Sequence, residues 1–262
     1  MKLVALAAVL AFGAAAPSAT ILLREQAWTP NADAQALLEE PAECLASRDR
    51  LVETGRALFR SPAILGGPAA RAGLSCNACH SGGRRNARFM LPELTDRAGS
   101  ADVTSEWSSK VRGDGIVNPV EIPDLYGVTQ RTAFGHARDP SLEHFVHSVV
   151  VEEFQGAEPR TEVTAALLEY LHALDEGECD RGMAAVTLAA AAEDVRRALT
   201  AADGADAETA RLVLLAAQDG MGRIVERLDL DLVVRPEPFE LVADRAELLG
   251  EGGLQEQESG DQ

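Results

Sequence analysis

The pentapeptide Cys76-Asn77-Ala78-Cys79-His80 constrains this chain more than any other stretch. It has the C-x-x-C-H spacing by which a porphyrin is attached covalently. Two thiols three apart can each add to a vinyl group of the same macrocycle. The adjacent imidazole then lies under the iron as proximal ligand. Other uses of a CxxC want another context. A structural zinc site needs a second close pair of Cys or His ligands, and the sequence has none. A thioredoxin-like pair needs βαβ flanks, and these flanks read as helix and loop. The expectation is one covalent haem c, carried by Cys76 and Cys79, with His80 on the iron.

Composition agrees with a helical setting. Aromatic residues make up 4% of the 262, and the apolar residues are mostly Ala, Leu and Val, which favours helix over sheet. The formal net charge of −18 excludes a nucleic-acid partner, which needs a basic stripe. The same charge favours redox partner proteins with basic docking surfaces.

Residues 1–19 read as a secretory signal: Lys2 at the start, an apolar run from Leu3 to Phe12, and small residues from Ala14 to Ala19. Export to the periplasm fits the haem motif, because bacteria attach haem c outside the cytoplasm. An uncleaved signal would instead leave the chain anchored to the membrane. In an oxidising compartment Cys44 and Cys179 are expected to pair, closing a loop worth about 4–5 kcal/mol on the chain-entropy model. Two isolated buried thiols are the alternative.

Residues 20–43 read as an N-terminal leader with a short helical piece from Ala34 to Glu40. Asp49 to Arg60 reads as a helix ended by Pro62, with Gly55 and Phe59 on one face. A loop with three donors, Arg84, Arg85 and Asn86, follows His80 and reads either as a contact to haem propionates or as a solvated turn. Residues 95–119 read as a long loop over one edge of the cofactor. Asp139 and Pro140 are expected to open a helix running from about Ser141 to Glu153. Thr161 to Leu174 reads as another, with Leu167, Tyr170, Leu171 and Leu174 on its apolar side. Beyond Gly182, helices over Ala184–Ala201 and Ala207–Leu228, the second capped by Asp206, make a hairpin.

Gly55 and Phe59, the trio Leu167, Tyr170 and Leu171, and the Cys76–His80 motif between them resemble cytochrome c over about residues 45–175. In that family the first and last helices cross at the glycine. Pro123-Asp124-Leu125, the Thr132–His136 segment and Ser141-Leu142-Glu143 resemble the haem-binding C-terminal half of bacterial di-haem cytochrome c peroxidases. The chain departs from that pattern at Tyr126-Gly127, where Arg-Asn is usual, at Gly135 beside the histidine, and in having one CxxCH. In the di-haem family the matched half passes electrons to the haem that meets peroxide. A single haem with both axial positions filled has no open site for peroxide, so the resemblance implies electron transfer.

The resulting expectation is a mainly α protein. Residues 1–19 are the signal, 20–43 the leader, 44–180 a cytochrome c-like haem domain, 181–249 a helical hairpin extension, and 250–262 a disordered acidic tail. Its expected function is periplasmic electron transfer, with a peroxidase having an open haem site, or a haem-based redox sensor or assembly partner, as alternatives. For the sixth iron ligand His136 ranks first, 56 residues after His80 in an irregular segment; Met90 and an empty position are the alternatives. His144, His147 and His172 read as surface or structural residues.

Overall fold

The computed structural model describes residues 21–23, 37–135, 138–175, 177 and 182–228. Among these, seven α-helices and four short strands occur in chain order, and the protein is mainly α. No helix among the described residues is long and apolar enough to cross a membrane.

Strand β1 is Glu39–Pro41 and helix α1 is Arg50–Phe59. The Asp49 carboxylate accepts the Leu51 and Val52 amides at 3.0 and 3.1 Å, which fixes where α1 begins. Ser61 then caps a short 3-10 turn, Pro62–Ile64, by accepting from the Ala63 amide at 3.2 Å. Helices α2 (Gly67–Arg71) and α3 (Cys76–Cys79) follow. The long connection beyond them carries short 3-10 turns at Ser81–Gly83 and Val128–Gln130 and the two-residue strands β2 (Ser100–Ala101) and β3 (Val120–Glu121), which pair antiparallel. The buried Asp102 holds this loop by accepting from the Thr104 and Asn118 amides.

Helix α4 is Leu142–Ser148, and it passes directly into a π-helical turn, Val149–Glu153. Ser141, rather than Asp139, is its N-cap: the Ser141 hydroxyl accepts from the His144 amide at 3.2 Å. Asp139 instead accepts from the Ser141 amide at 2.8 Å and so positions the cap. Helix α5 is Thr161–Ala173, strand β4 is Met183–Ala185, and helices α6 (Leu188–Ala202) and α7 (Ala207–Arg227) complete the described chain.

Helices α1 and α5 cross with almost no space between their backbones. A Cβ added at Gly55 would lie 1.8 Å from the Ala166 carbonyl oxygen. The Phe59 and Tyr170 rings pack one turn further on, with centroids 4.9 Å apart. Val52, Leu58, Val163, Leu167 and Leu171 are buried in the same contact.

Two expectations are corrected. Leu37–Glu40 are not helical; Glu39–Pro41 pair antiparallel with Met183–Ala185, while residues 34–36 lie outside the described set. The same pairing delays α6: it begins at Leu188, where the Thr187 hydroxyl accepts from the Ala190 amide at 3.1 Å, not at Ala184. Alanine favours helix only weakly, and pairing with an available strand outweighs it. The hairpin is otherwise as expected, with Asp206 accepting from the Glu208 and Thr209 amides at the start of α7. It packs on α1, and Val195, Ala198, Val213, Leu214, Ala217 and Met221 share one core with the α1–α5 crossing. Arg56 on α1 reaches Asp194 on α6 at 2.9 Å.

Candidate functional site

Helix α3 is a single turn, so Cys76 and Cys79 project from one face. Both are free thiols, partly exposed. The turn is held from behind by asparagines. Asn77 accepts from the Gly82 amide at 3.0 Å, and the Asn86 side chain donates to the Ala78 carbonyl at 2.8 Å. The Asn86 backbone amide donates to the Cys79 carbonyl at 2.8 Å. Burial pushes the Cys76 thiol up to about 12, with the nearby Glu153 carboxylate adding to it, and raises Cys79 in the same way. Both sulfurs are therefore protonated at neutral pH.

His80 follows the turn, and its amide donates to the Cys76 carbonyl at 2.9 Å. Its Nδ1 lies 2.9 Å from the Pro123 carbonyl oxygen. That oxygen can only accept, so Nδ1 carries the proton and the Nε2 lone pair is left for a ligand. Part of the ring's surface stays accessible, yet protein surrounds it closely. Burial pulls its pKa down to about 4 against the opposing pull of the Pro123 carbonyl and Asp124. The imidazole is neutral at physiological pH.

The segment bearing Pro123 is fixed on both sides. The Ile122 amide donates to the Gly99 carbonyl at 3.1 Å and the Leu125 amide to the Gly83 carbonyl at 2.9 Å. The Tyr126 hydroxyl accepts from the Cys44 amide at 2.8 Å and donates to the Gly82 carbonyl at 3.1 Å. Arg84 stacks over the Tyr126 ring, 4.2 Å from its centroid. Tyr126 thus joins the leader, the loop after the motif and the segment that orients His80.

A second polar group stands close to the thiols. Glu153, on the π-helical turn, is 5% exposed, and Arg112 from the long loop approaches it at 2.9 Å. Burial pushes the Glu153 carboxyl up to about 7, and Arg112 only partly offsets this. Arg112 also reaches Glu152 and the Ser148 hydroxyl.

The donor set of two thiols on one helical face and an oriented imidazole with a free Nε2 fits covalent haem attachment. The other sequence candidates are placed as follows. His136 lies outside the described residues. Among the described residues on either side, Phe134 and Asp139 exchange amide–carbonyl hydrogen bonds of 2.8 Å. Met90 is partly buried, and its sulfur accepts from the Thr95 hydroxyl at 3.1 Å. His144 pairs with Asp139, His147 reaches Glu158 at 2.7 Å, and His172 is exposed near Glu169. Arg85 pairs with Glu121, and the Asn86 amide is engaged with Ala78. Cys44 is 3% exposed, while Cys179 lies outside the described residues. Among the described residues no group of three or more His, Cys, Asp or Glu side chains is arranged to hold a metal ion.

Sequence reasoning missed the roles of Pro123, Tyr126 and Glu153. The Pro123 contact is made by a backbone carbonyl, which leaves no residue-type signal. In the sequence Tyr126 stands out only as a departure from a family pattern. Comparison with protein-family models, curated proteins and solved structures finds no match for the chain.

Proposed function

We propose that the chain is a periplasmic mono-haem c-type cytochrome that transfers electrons. The observation that carries this reading is the His80 contact with Pro123, which leaves Nε2 available beside two free thiols on one turn. The crossing of α1 and α5 at Gly55, with Phe59 packed on Tyr170, supports a cytochrome c-like haem domain. When bound, the haem supplies an iron that cycles between ferric and ferrous states. The protein's own contribution is to attach it through Cys76 and Cys79, hold the His80 ring in one tautomer, and exclude water. His136 is proposed as the distal ligand. A Cys44–Cys179 disulfide is proposed to tie the leader to the end of the haem domain. The negative surface suits redox partners with basic docking faces.

The test is expression in a bacterial periplasm with the haem-attachment machinery, followed by denaturing electrophoresis with haem staining. Covalent haem in the parent, lost in a Cys76→Ala/Cys79→Ala double variant, is the expected result. A purified, folded chain that never stains under these conditions overturns the reading.

A further inference from the structure

A cavity of about 500 Å3 lies behind the haem motif, on the side of α3 that bears Asn77 and Ala78. It separates the motif turn and the segment after it from α1 and the C-terminal hairpin. Its size falls in the range of small-molecule sites, roughly 300–1,000 Å3. The apolar lining includes Leu74, Phe89, Met90, Val195 and Ile224. Two of these come from the hairpin, so the site exists only because α6 and α7 fold back over the motif.

The arginines around this cavity are not equivalent. Arg56 is matched by Asp194 at 2.9 Å, and Arg223 by Asp219 at 2.7 Å. Arg227, in the last turn of α7, makes no hydrogen bond or ion pair within 4.0 Å among the described residues, although it lines the cavity and is partly buried. Burial lowers its pKa, against the more distant pull of Glu40, Glu226 and Asp219. Arg60 lines the same space but is matched by Glu43 at 3.3 Å, with Glu40 and Asp194 within 4 Å. A desolvated guanidinium without a contact partner is costly to keep. Here Arg227 brings unmatched donors to the cavity wall.

We propose that this cavity binds an alkyl carboxylate, its chain lying against Leu74, Phe89, Val195 and Ile224 and its carboxylate held by Arg227. Arg227 can meet a carboxylate with two parallel N–H donors, which an alcohol or neutral amphiphile cannot exploit. The site is independent of the haem reading, because none of its contacts involves the thiols or His80.

The test is calorimetric titration of the full chain with sodium laurate, with dodecanol as the uncharged control. Saturable one-to-one binding of laurate is expected, with dodecanol at least about tenfold weaker, the scale of a lost charge-assisted hydrogen bond. Arg227→Gln should weaken laurate by about the same factor without lowering the thermal melt of the free protein. Ala216→Phe, placed on the cavity wall, should abolish binding by filling the chamber. If either variant fails to fold, the other is decisive. No saturable laurate binding by the parent chain, equal affinity for dodecanol, or unchanged affinity in both folded variants overturns the proposal.

Discussion

The Tyr170 hydroxyl donates to the Glu43 carboxylate at 2.7 Å, joining the last turn of α5 to the segment that precedes α1. Glu43 is also approached by Arg56 and Arg60. Burial alone would raise its pKa; Arg60, then Arg56 and the hydrogen bonds outweigh that and hold it at about 2. Its proton affinity is thus lower folded than unfolded. This stabilises the fold above the ordinary carboxylate pKa, and the gain disappears as pH falls toward 2. Tyr170→Phe removes one donor from a buried carboxylate and should cost about 1–3 kcal/mol, read as a lower urea midpoint. An unchanged midpoint would show that water replaces the phenol without loss.

Glu153 acts in the opposite direction. Burial raises its folded pKa to about 7, from the ordinary glutamate value of 4.5. Between those values the folded chain holds a proton that the unfolded chain has released, so stability falls as pH rises through this window. At about 1.4 kcal/mol per pKa unit the full effect is about 3 kcal/mol. Glu153→Gln keeps a polar partner for Arg112 and removes the charge. Melting across this window should show the variant gaining on the parent as pH increases. Parallel curves would mean that Glu153 does not titrate there.

The crossing of α1 and α5 can be tested by two glycine substitutions with opposite outcomes. Gly55→Ala forces a methyl group against the Ala166 carbonyl and should cost about 2–3 kcal/mol or more, as overpacking against backbone does. At Gly222 in α7 an added Cβ meets nothing within 4 Å. Gly222→Ala should therefore stabilise by about 0.5–1 kcal/mol through helix propensity alone. Guanidinium unfolding of both variants checks the pair, and similar effects would contradict the geometry.

The distal ligand gives a spectroscopic prediction that rests on the haem reading. His136→Ala should convert a low-spin ferric spectrum to high spin, whereas Met90→Ala should leave it low spin. The reverse outcome would assign Met90 as the ligand.

The sequence was most legible where side chains satisfy local backbone groups or meet across helices. Asp206 caps its helix as read, the helix read from Asp49 begins there, and Gly55 with Phe59 marked the face on which α5 packs. Partnerships between distant segments were not legible. Glu39–Pro41 and Met183–Ala185 carry no alternating pattern, and their pairing arises from tertiary placement. The partner of His80 is a main-chain oxygen 43 residues away. The burial of Glu153 depends on where Arg112 and the long loop come to rest.

Helix α1 is enclosed on two sides, by α5 on one and by the hairpin on the other. Its Arg56 meets Asp194 across 138 residues of chain. The first helix in the chain therefore cannot complete its packing until the hairpin near the end of the described residues is in place. Such nonlocal closure slows folding. It should also make the haem-motif region and the hairpin unfold in one transition, so a truncation before residue 188 would be expected to yield an unstable chain rather than a smaller, self-sufficient one.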